Sequence, residues 1–315
     1  VRLDLALTGR EGQRELRTQV RGRLGLRALA GPAAAPLDDV FSGKSDWQAL
    51  LVVPSSAARP FTLDLQSDLR GMAVDLPEPL GKSATATLPL HLVLRPGAAR
   101  LLELALDYGS ELRAALELAD FTTQPRLTRG ELRLGSGAAQ LPELPGLVVV
   151  ADVPRRDWSL SSGRTSASLA VPALLRQLDA RIGHLNLAGQ HFAAVNLALS
   201  RQEQGLRLEL DGPDLAGRIT VPEQPTPQRP VNAALSRLRL RVADQEAEPS
   251  TAPSRSPDPR QWPPLVLTVA DLQIDDRSLG RLRLVAVPRV GGLRLSSLDL
   301  QSAQQTVTAS GDTMR

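Results

Sequence analysis

The sequence predicts an all-β chain, an elongated antiparallel β-meander whose strands form a twisted, open hydrophobic groove with at most one or two short helices. Three observations carry that prediction: aliphatic and polar residues alternate over strand lengths, turn chemistry recurs at short intervals, and one strand-turn-strand pattern is echoed within the chain. The alternation is plain in VRLDLAL (Val1, Leu3, Leu5, Leu7), FTLDLQ (Phe61, Leu63, Leu65), LPLHLVL (Leu88, Leu90, Leu92, Leu94), GLRLELD (Leu206, Leu208, Leu210) and GRLRLVA (Leu282, Leu284). Successive side chains of a strand point to opposite faces, so each segment places an aliphatic row on one face and polar groups on the other. Turn signals separate the runs at residues 9–12, 54–60, 95–97, 135–137, 189, 205, 211–214 and 291–292.

Two stretches carry helical features. In VPALLRQLDARI, Val171, Leu174, Leu175, Leu178 and Ile182 fall at helical spacing, with Pro172 near the start and Ser168 as a cap, which predicts a short helix. The stretch 100–118 has helical composition, but Gly109 divides it into two runs of hairpin size with Leu102, Leu104, Leu106 and Tyr108 in register, which predicts strands. The echo relates residues 182–208 to 269–295 without a gap, at the spacing from Gly205 to Gly292. It aligns Leu185 with Leu272, Leu187 with Ile274, Phe192 with Leu279, Val195 with Leu282 and Leu206 with Leu293. Such a repeat reads as a duplicated β-meander unit. Between the copies, residues 244–264 are Pro/Ser-rich and charged, the composition of a disordered loop; residues 223–230 form a smaller one. The organisation expected is a β-groove segment over 1–165, a short helix and the first repeat copy over 166–222, a strand and the disordered loop over 223–264, and the second copy over 265–315.

Composition narrows the function. With 315 residues and 42% hydrophobic content but only 3% aromatic, the core is aliphatic and uniform. The formal net charge is only +3, Lys44 and Lys82 are the only lysines, and arginines such as Arg237, Arg239 and Arg241 are dispersed along strands, so no nucleic-acid surface is visible. There is no cysteine, which removes disulfides, thiolate catalysis and Cys-based zinc sites. No apolar run reaches the length of a membrane span, and Val1 opens inside an alternating pattern without a signal peptide, which reads as an internal piece of a longer chain with any anchor outside it.

The chemistry-bearing residues give no catalytic, cofactor or metal site. His91, His184 and His191 are the only histidines, and the last two, with Asp179 nearby, lack any metal-ligand spacing. Ser136 sits in LGSGAA, without the G-x-S-x-G frame of a nucleophile elbow. Asp64, Asp68, Asp75 and Glu78 could pair as acid and base, but no aromatic sugar platform accompanies them. Gly81-Lys82-Ser83 has the tail of a phosphate-binding loop, yet position 76 is Leu where its first glycine belongs. Asp68 and Asp75 then read as strand and turn surface, Pro77 and Pro79 as stops to pairing, Gly81 as a tight reversal and Lys82 as structural or headgroup-facing.

Residues 63–92, LDLQSDLRGMAVDLPEPLGKSATATLPLHL, resemble the characteristic stretch of the YhdP group of AsmA-like envelope proteins: Ser67, Asp68, Leu69 and Gly71, then Leu76, Pro77, Pro79, Leu80, Gly81 and Lys82. The resemblance continues through Gly43 and Trp47, through Arg129, Gly130, Leu134, Gly135, Leu141, Pro142, Gly146 and Trp158, through Gly212, Gly217 and Pro222, and into SLGRLRL. It implies a non-enzymatic, inner-membrane-anchored periplasmic protein of a Gram-negative bacterium. Such a protein moves phospholipid toward the outer membrane and supports its permeability barrier, with other envelope proteins as partners. The alternative is a chaperoning role in outer-membrane protein assembly, as for TamB-like relatives. The aliphatic rows supply the candidates for contact with acyl chains: Leu63, Leu65, Leu92, Leu94, Leu185, Leu187, Leu206, Leu208, Leu272, Ile274, Leu293 and Leu295.

Overall fold

The computed structural model describes residues 2–8, 15–31, 37, 39–55, 60–76, 80–97, 101–120, 125–159, 174–187, 190–241, 263–289, 292–302 and 306–314. Contacts divide the chain into two units, Val1–Val150 and Ala151–Arg315.

Unit 1 comprises β1 (Arg2–Thr8), β2 (Glu15–Leu24), α1 (Leu26–Ala30), β3 (Phe41–Gly43), β4 (Ser45–Pro54), β5 (Thr62–Ser67), β6 (Met72–Val74), β7 (Leu90–Pro96), β8 (Leu102–Tyr108), β9 (Leu112–Ala119) and β10 (Arg126–Leu134). Its sheet runs β1-β2-β4-β5-β7-β8-β9-β10, and each of these pairings is antiparallel. β3 and β6 pair only with each other, as a two-stranded ribbon. The turn at Gly109 joins β8 to β9 in a hairpin that pairs Tyr108 with Leu112, as the sequence predicts. β11 (Gly146–Ser159) crosses the boundary between the units.

Unit 2 comprises β12 (Leu175–Leu187), β13 (Gln190–Gln202), β14 (Gly205–Asp211), β15 (Leu215–Pro222), β16 (Val231–Leu240), β17 (Leu265–Ile274), β18 (Arg277–Arg289), β19 (Gly292–Gln301) and β20 (Thr306–Met314). These pair in chain order. All are antiparallel but one: β16 and β17 run parallel, so the meander is interrupted once. A parallel pair needs a crossover rather than a tight turn, and the chain between these strands contains the long Pro/Ser-rich segment. Residues 242–262 lie outside the described residues, and so does the disorder expected for 244–264.

The two hairpins of the echo share their register. Ile182 faces Val195 and Ala180 faces Leu197 across β12 and β13; the equivalent positions Val269 with Leu282, and Leu267 with Leu284, face each other across β17 and β18. The agreement continues through the next turn, where Gln202 pairs with Gly205 and Arg289 with Gly292. It then breaks at a bulge after Val285.

Two expectations are overturned. Residues 223–230, expected as a disordered loop, form an ordered turn in which the backbones of Thr226 and Arg229 bond each other in both directions at 3.0 Å; the prolines there shape a tight reversal instead of preventing order. The helix predicted around 171–182 is a strand: β12 begins at Leu175 and places Leu178, Ala180 and Ile182 opposite Leu199, Leu197 and Val195. A four-residue spacing is one helical turn and also two strand repeats, so Leu178 and Ile182 satisfy both patterns; Ala180, a weak apolar marker, completes the strand row. Ser168, Val171 and Pro172 lie outside the described residues. The described helix is instead the short α1 at Leu26–Ala30.

Candidate functional site: an aliphatic sheet face closed along one margin

Antiparallel register turns the alternation of single strands into rows that cross whole sheets. In unit 1, Leu51, Leu63, Leu94, Leu104 and Leu116 stand opposite one another across β4, β5, β7, β8 and β9. The next row along the strands is Ala49, Leu65, Leu92, Leu106, Ala114 and, on β10, Leu132. Unit 2 repeats the design by itself: Leu178, Leu199, Leu208, Ile219, Ala233, Leu267, Leu284 and Leu298 form one row from β12 to β19. Most of these leucines are half-buried among the described residues.

The opposite face is charged. In unit 1 His91 Nε2 lies 2.9 Å from Asp64 Oδ2 and its Nδ1 lies 3.8 Å from Asp107, which in turn is 3.5 Å from Arg113. Farther along, Arg129 donates from Nε and Nη2 to the Glu117 carboxylate at 3.0 and 2.8 Å, Thr128 Oγ1 donates at 2.8 Å, and Arg129 Nη1 donates to the Pro142 carbonyl at 3.0 Å. Glu117 is buried, and its hydrogen bond from Arg129 holds its carboxyl below the usual range against the opposing cost of desolvation. That pair fixes the chain at Pro142 against the polar face.

The segment that carries the family resemblance closes one margin of the aliphatic face in unit 1. Trp47, Leu69, Met72, Val74 and Tyr108 form a buried cluster; Leu24, Leu26, Phe41, Leu80, Leu90 and Leu112 pack around it. Ser67, Leu90, Tyr108 and Leu112 belong to the cross-strand row that begins at Trp47, so the ribbon of β3 and β6, with α1, lies over that row as a clasp. Two glycines permit the approach: Gly43 and Gly71 have φ of +100° and +89°, and a Cβ on Gly43 would stand 2.3 Å from the Gly71 carbonyl oxygen. At Gly81 a Cβ would stand 2.0 Å from the Leu76 oxygen. The clasp's polar groups are tied internally. Lys82 Nζ donates to the carbonyls of Leu69, Met72 and Ser83, Tyr108 Oη donates to Leu80 O at 2.6 Å, and Trp47 Nε1 donates to Leu24 O at 3.1 Å. Burial lowers the Lys82 pKa, the nearby Asp68 opposing that shift. Lys82 is therefore a structural tie. Asp68 accepts the Arg70 N–H at 3.0 Å in a local turn and Asp75 is exposed, while Pro77, Glu78 and Pro79 lie outside the described residues.

Exposure then rises across the face. Trp47, Leu69 and Tyr108 are 4%, 0% and 4% exposed under the clasp, whereas Leu16, Val53 and Phe61 at the other strand ends reach 41%, 38% and 38%. Unit 2 is also closed on one margin. Pairing lapses between Ile182–Val195 and His184–Ala193, with Ala194 at φ +50°. Beyond that point Leu185 and Phe192 join Leu215, Leu235, Val269 and Leu272 in a buried cluster. There Gln190 Oε1 accepts the Arg241 N–H at 3.0 Å, linking the start of β13 to the end of β16.

Register places the sequence candidates as follows. Leu63 faces Leu94 and Leu65 faces Leu92; Leu208 lies between Leu199 and Ile219, Leu206 faces Val221, and Leu295 faces Ala286. Ile274 pairs with Leu240, and Leu272 with Leu238. Leu65, Leu185 and Leu272 are buried in the packed part of the sheets, while Leu63, Leu92, Leu94, Leu206, Leu208, Ile274 and Leu295 are half-buried. Leu187 and Leu293 occupy strand positions paired with Gln190 and Pro288. Leu116, Leu199, Ile219 and Leu267 share these rows without having been singled out, although the same alternation marks them. His184 and His191 are exposed, and Ser136 lies in a bend. Among the described residues no three His, Asp or Glu side chains converge as a metal site.

The YhdP family model matches residues 2–314, almost the whole length of this sheet architecture. The chain belongs to the YhdP family. YhdP proteins are non-enzymatic proteins of the bacterial envelope. Comparisons with curated proteins and with solved structures gave no match. No described helix of this YhdP-family chain is long and apolar enough to cross a membrane.

Two outcomes follow from the geometry. Lys82→Met leaves three carbonyls without their shared donor and Gly71→Ala forces a Cβ to 2.5 Å from the Lys44 oxygen; each lowers stability by roughly 1–3 kcal/mol in urea unfolding, followed by Trp47 emission with Trp158 and Trp262 replaced by Phe. For Glu117, whose folded pKa is depressed, the stabilisation is present above its ordinary value of 4.5 and is lost as pH falls through the folded value. Chemical denaturation between about pH 6 and pH 3 should show that loss in the native chain and a shallower acid dependence in Glu117→Gln.

Proposed function

We propose that this chain holds phospholipid acyl chains on its aliphatic face and passes them, without catalysis, across the periplasm of a Gram-negative bacterium toward the outer membrane. In this reading an inner-membrane anchor lies elsewhere in the protein, and other envelope proteins meet it at its ends. The observation that carries the reading is the run of half-buried leucine rows, strand after strand, with charge held to the opposite face from β4 to β9 of unit 1. Family membership supports it. The physical demand is large: two sixteen-carbon chains hold about 30 methylenes, and at roughly 0.8 kcal/mol each their exposure to water costs on the order of 24 kcal/mol. A row of leucines replaces that water without any single tight site, so a lipid can shift from one strand to the next against small barriers. Catalytic groups have no part in such a process.

The test is transfer of a fluorescent phospholipid between vesicles. Leu208→Asp and Leu94→Asp, and the milder Leu208→Asn, put polar groups on the track and should slow transfer at least about tenfold, circular dichroism confirming the fold. Arg207→Gln and Glu209→Gln, on the opposite face, should leave it unchanged. Equal loss from both faces contradicts the reading.

A further inference from the structure

We infer that in unit 1 each phospholipid lies along the strands, its methyl ends against the clasp and its headgroup at the opposite margin. This rests on the acyl-chain reading above and adds a direction to it. Three observations carry the inference.

The first is depth. From Ala49, in the row next to the clasp, to Val53 at the far strand ends is four residues, about 14 Å at strand rise; Leu65 to Phe61 spans the same number. One acyl chain occupies about half of the roughly 30 Å hydrocarbon core of a bilayer, about 15 Å. The aliphatic face is thus one chain deep from wall to lip. A chain laid across the strands would leave most of that depth empty.

The second is the exposure gradient. A wall built from Leu69 and Met72, with its donors and acceptors tied to one another through Lys82, Tyr108 and Trp47, offers nothing to a headgroup and suits a terminal methyl. Lys82 apart, the charged residues of the clasp, Arg27, Lys44, Asp68, Arg70 and Asp75, are exposed on its outer side, away from the buried wall. At the lip, by contrast, Leu16, Val53 and Phe61 remain exposed, where the glycerol end of a lipid would cover them.

The third is charge. At the strand ends that form the lip, the charged face carries ion pairs of both signs, within reach of a headgroup that leaves the aliphatic face at this margin: Glu15 with Arg17 at 2.6 Å at the start of β2, and Asp120 with Arg126 between β9 and β10. Their side chains are partly exposed and offer both partners that a zwitterionic headgroup such as phosphoethanolamine needs. Reversing the lipid would strip the headgroup of water against the Leu69 wall.

The experiment loads the 315-residue chain from phosphatidylethanolamine vesicles doped with one of two photoactivatable phospholipids, bearing a diazirine at the terminal methyl end of one acyl chain or in the headgroup. Labelled peptides are then mapped by mass spectrometry. The terminal probe should label the clasp side, Leu65 to Val74 and Leu106 to Ala114, at least about tenfold over the lip, and the headgroup probe should show the reverse preference around Leu16, Val53 and Phe61. In Lys82→Met, which loosens the wall, the terminal probe should spread beyond the clasp while headgroup labelling stays at the lip. Equal labelling of both margins by both probes, or a reversed preference, overturns the orientation and leaves the groove standing. Labelling that avoids the aliphatic face altogether overturns the groove and the orientation together.

Discussion

Register is the constraint on which the rest of this structure depends. Because side chains alternate with a period of two, a slip of one residue between any two strands would move every leucine of the slipped strand to the charged face. Continuous rows such as Leu51-Leu63-Leu94-Leu104-Leu116 exist only because each successive pairing keeps the same parity. Cross-strand contacts of this kind contribute roughly 0.2–1 kcal/mol each, so one pair decides little and a row decides the register. The charged face reinforces the same choice: Arg113 with Asp107 and Arg129 with Glu117 are cross-strand neighbours only in this register.

A sheet whose aliphatic face is only half-buried by its own described residues forgoes much of the burial that stabilises ordinary domains. Here each unit concentrates its packed core at one margin. In unit 1 the clasp does this, bringing Leu69, Met72, Val74, Trp47 and Tyr108 together; in unit 2 it is the end of the β12–β13 hairpin, where Leu185 and Phe192 meet Leu215 and Leu272. The margin supplies cooperativity, and the rows beyond it stay available. The stretch of sequence richest in apparent catalytic groups thus serves to close a wall: its serine, lysine and glycines satisfy backbone groups and permit close packing.

Much of this was legible in the sequence. Alternation located the strands, Gly109 marked a hairpin, and the spacing from Gly205 to Gly292 marked two meanders whose hairpins share register. The departures have physical causes. Leu178 and Ile182 fit a helix and a strand equally, and the decisive Ala180 is too small to announce itself. The parallel pairing of β16 with β17 leaves no mark in either strand, because the direction of a strand is set by what lies between. The clasp was hidden most completely: Ser67 to Lys82 reads as turn chemistry, and only its folding over the Trp47 row shows that Leu69, with φ of +51°, is wholly buried. Which leucines are core and which are half-covered was equally beyond the pattern, since Leu63 and Leu65 differ only in distance from the clasp.

Native mass spectrometry with lipid extraction, on this chain purified without detergent, tests the central claim most directly. A half-buried aliphatic face that holds acyl chains should carry phospholipid out of the cell, seen as discrete adducts that extraction identifies as intact two-chain lipids. A folded, monodisperse chain that carries no lipid, and takes up none from vesicles, would contradict the account.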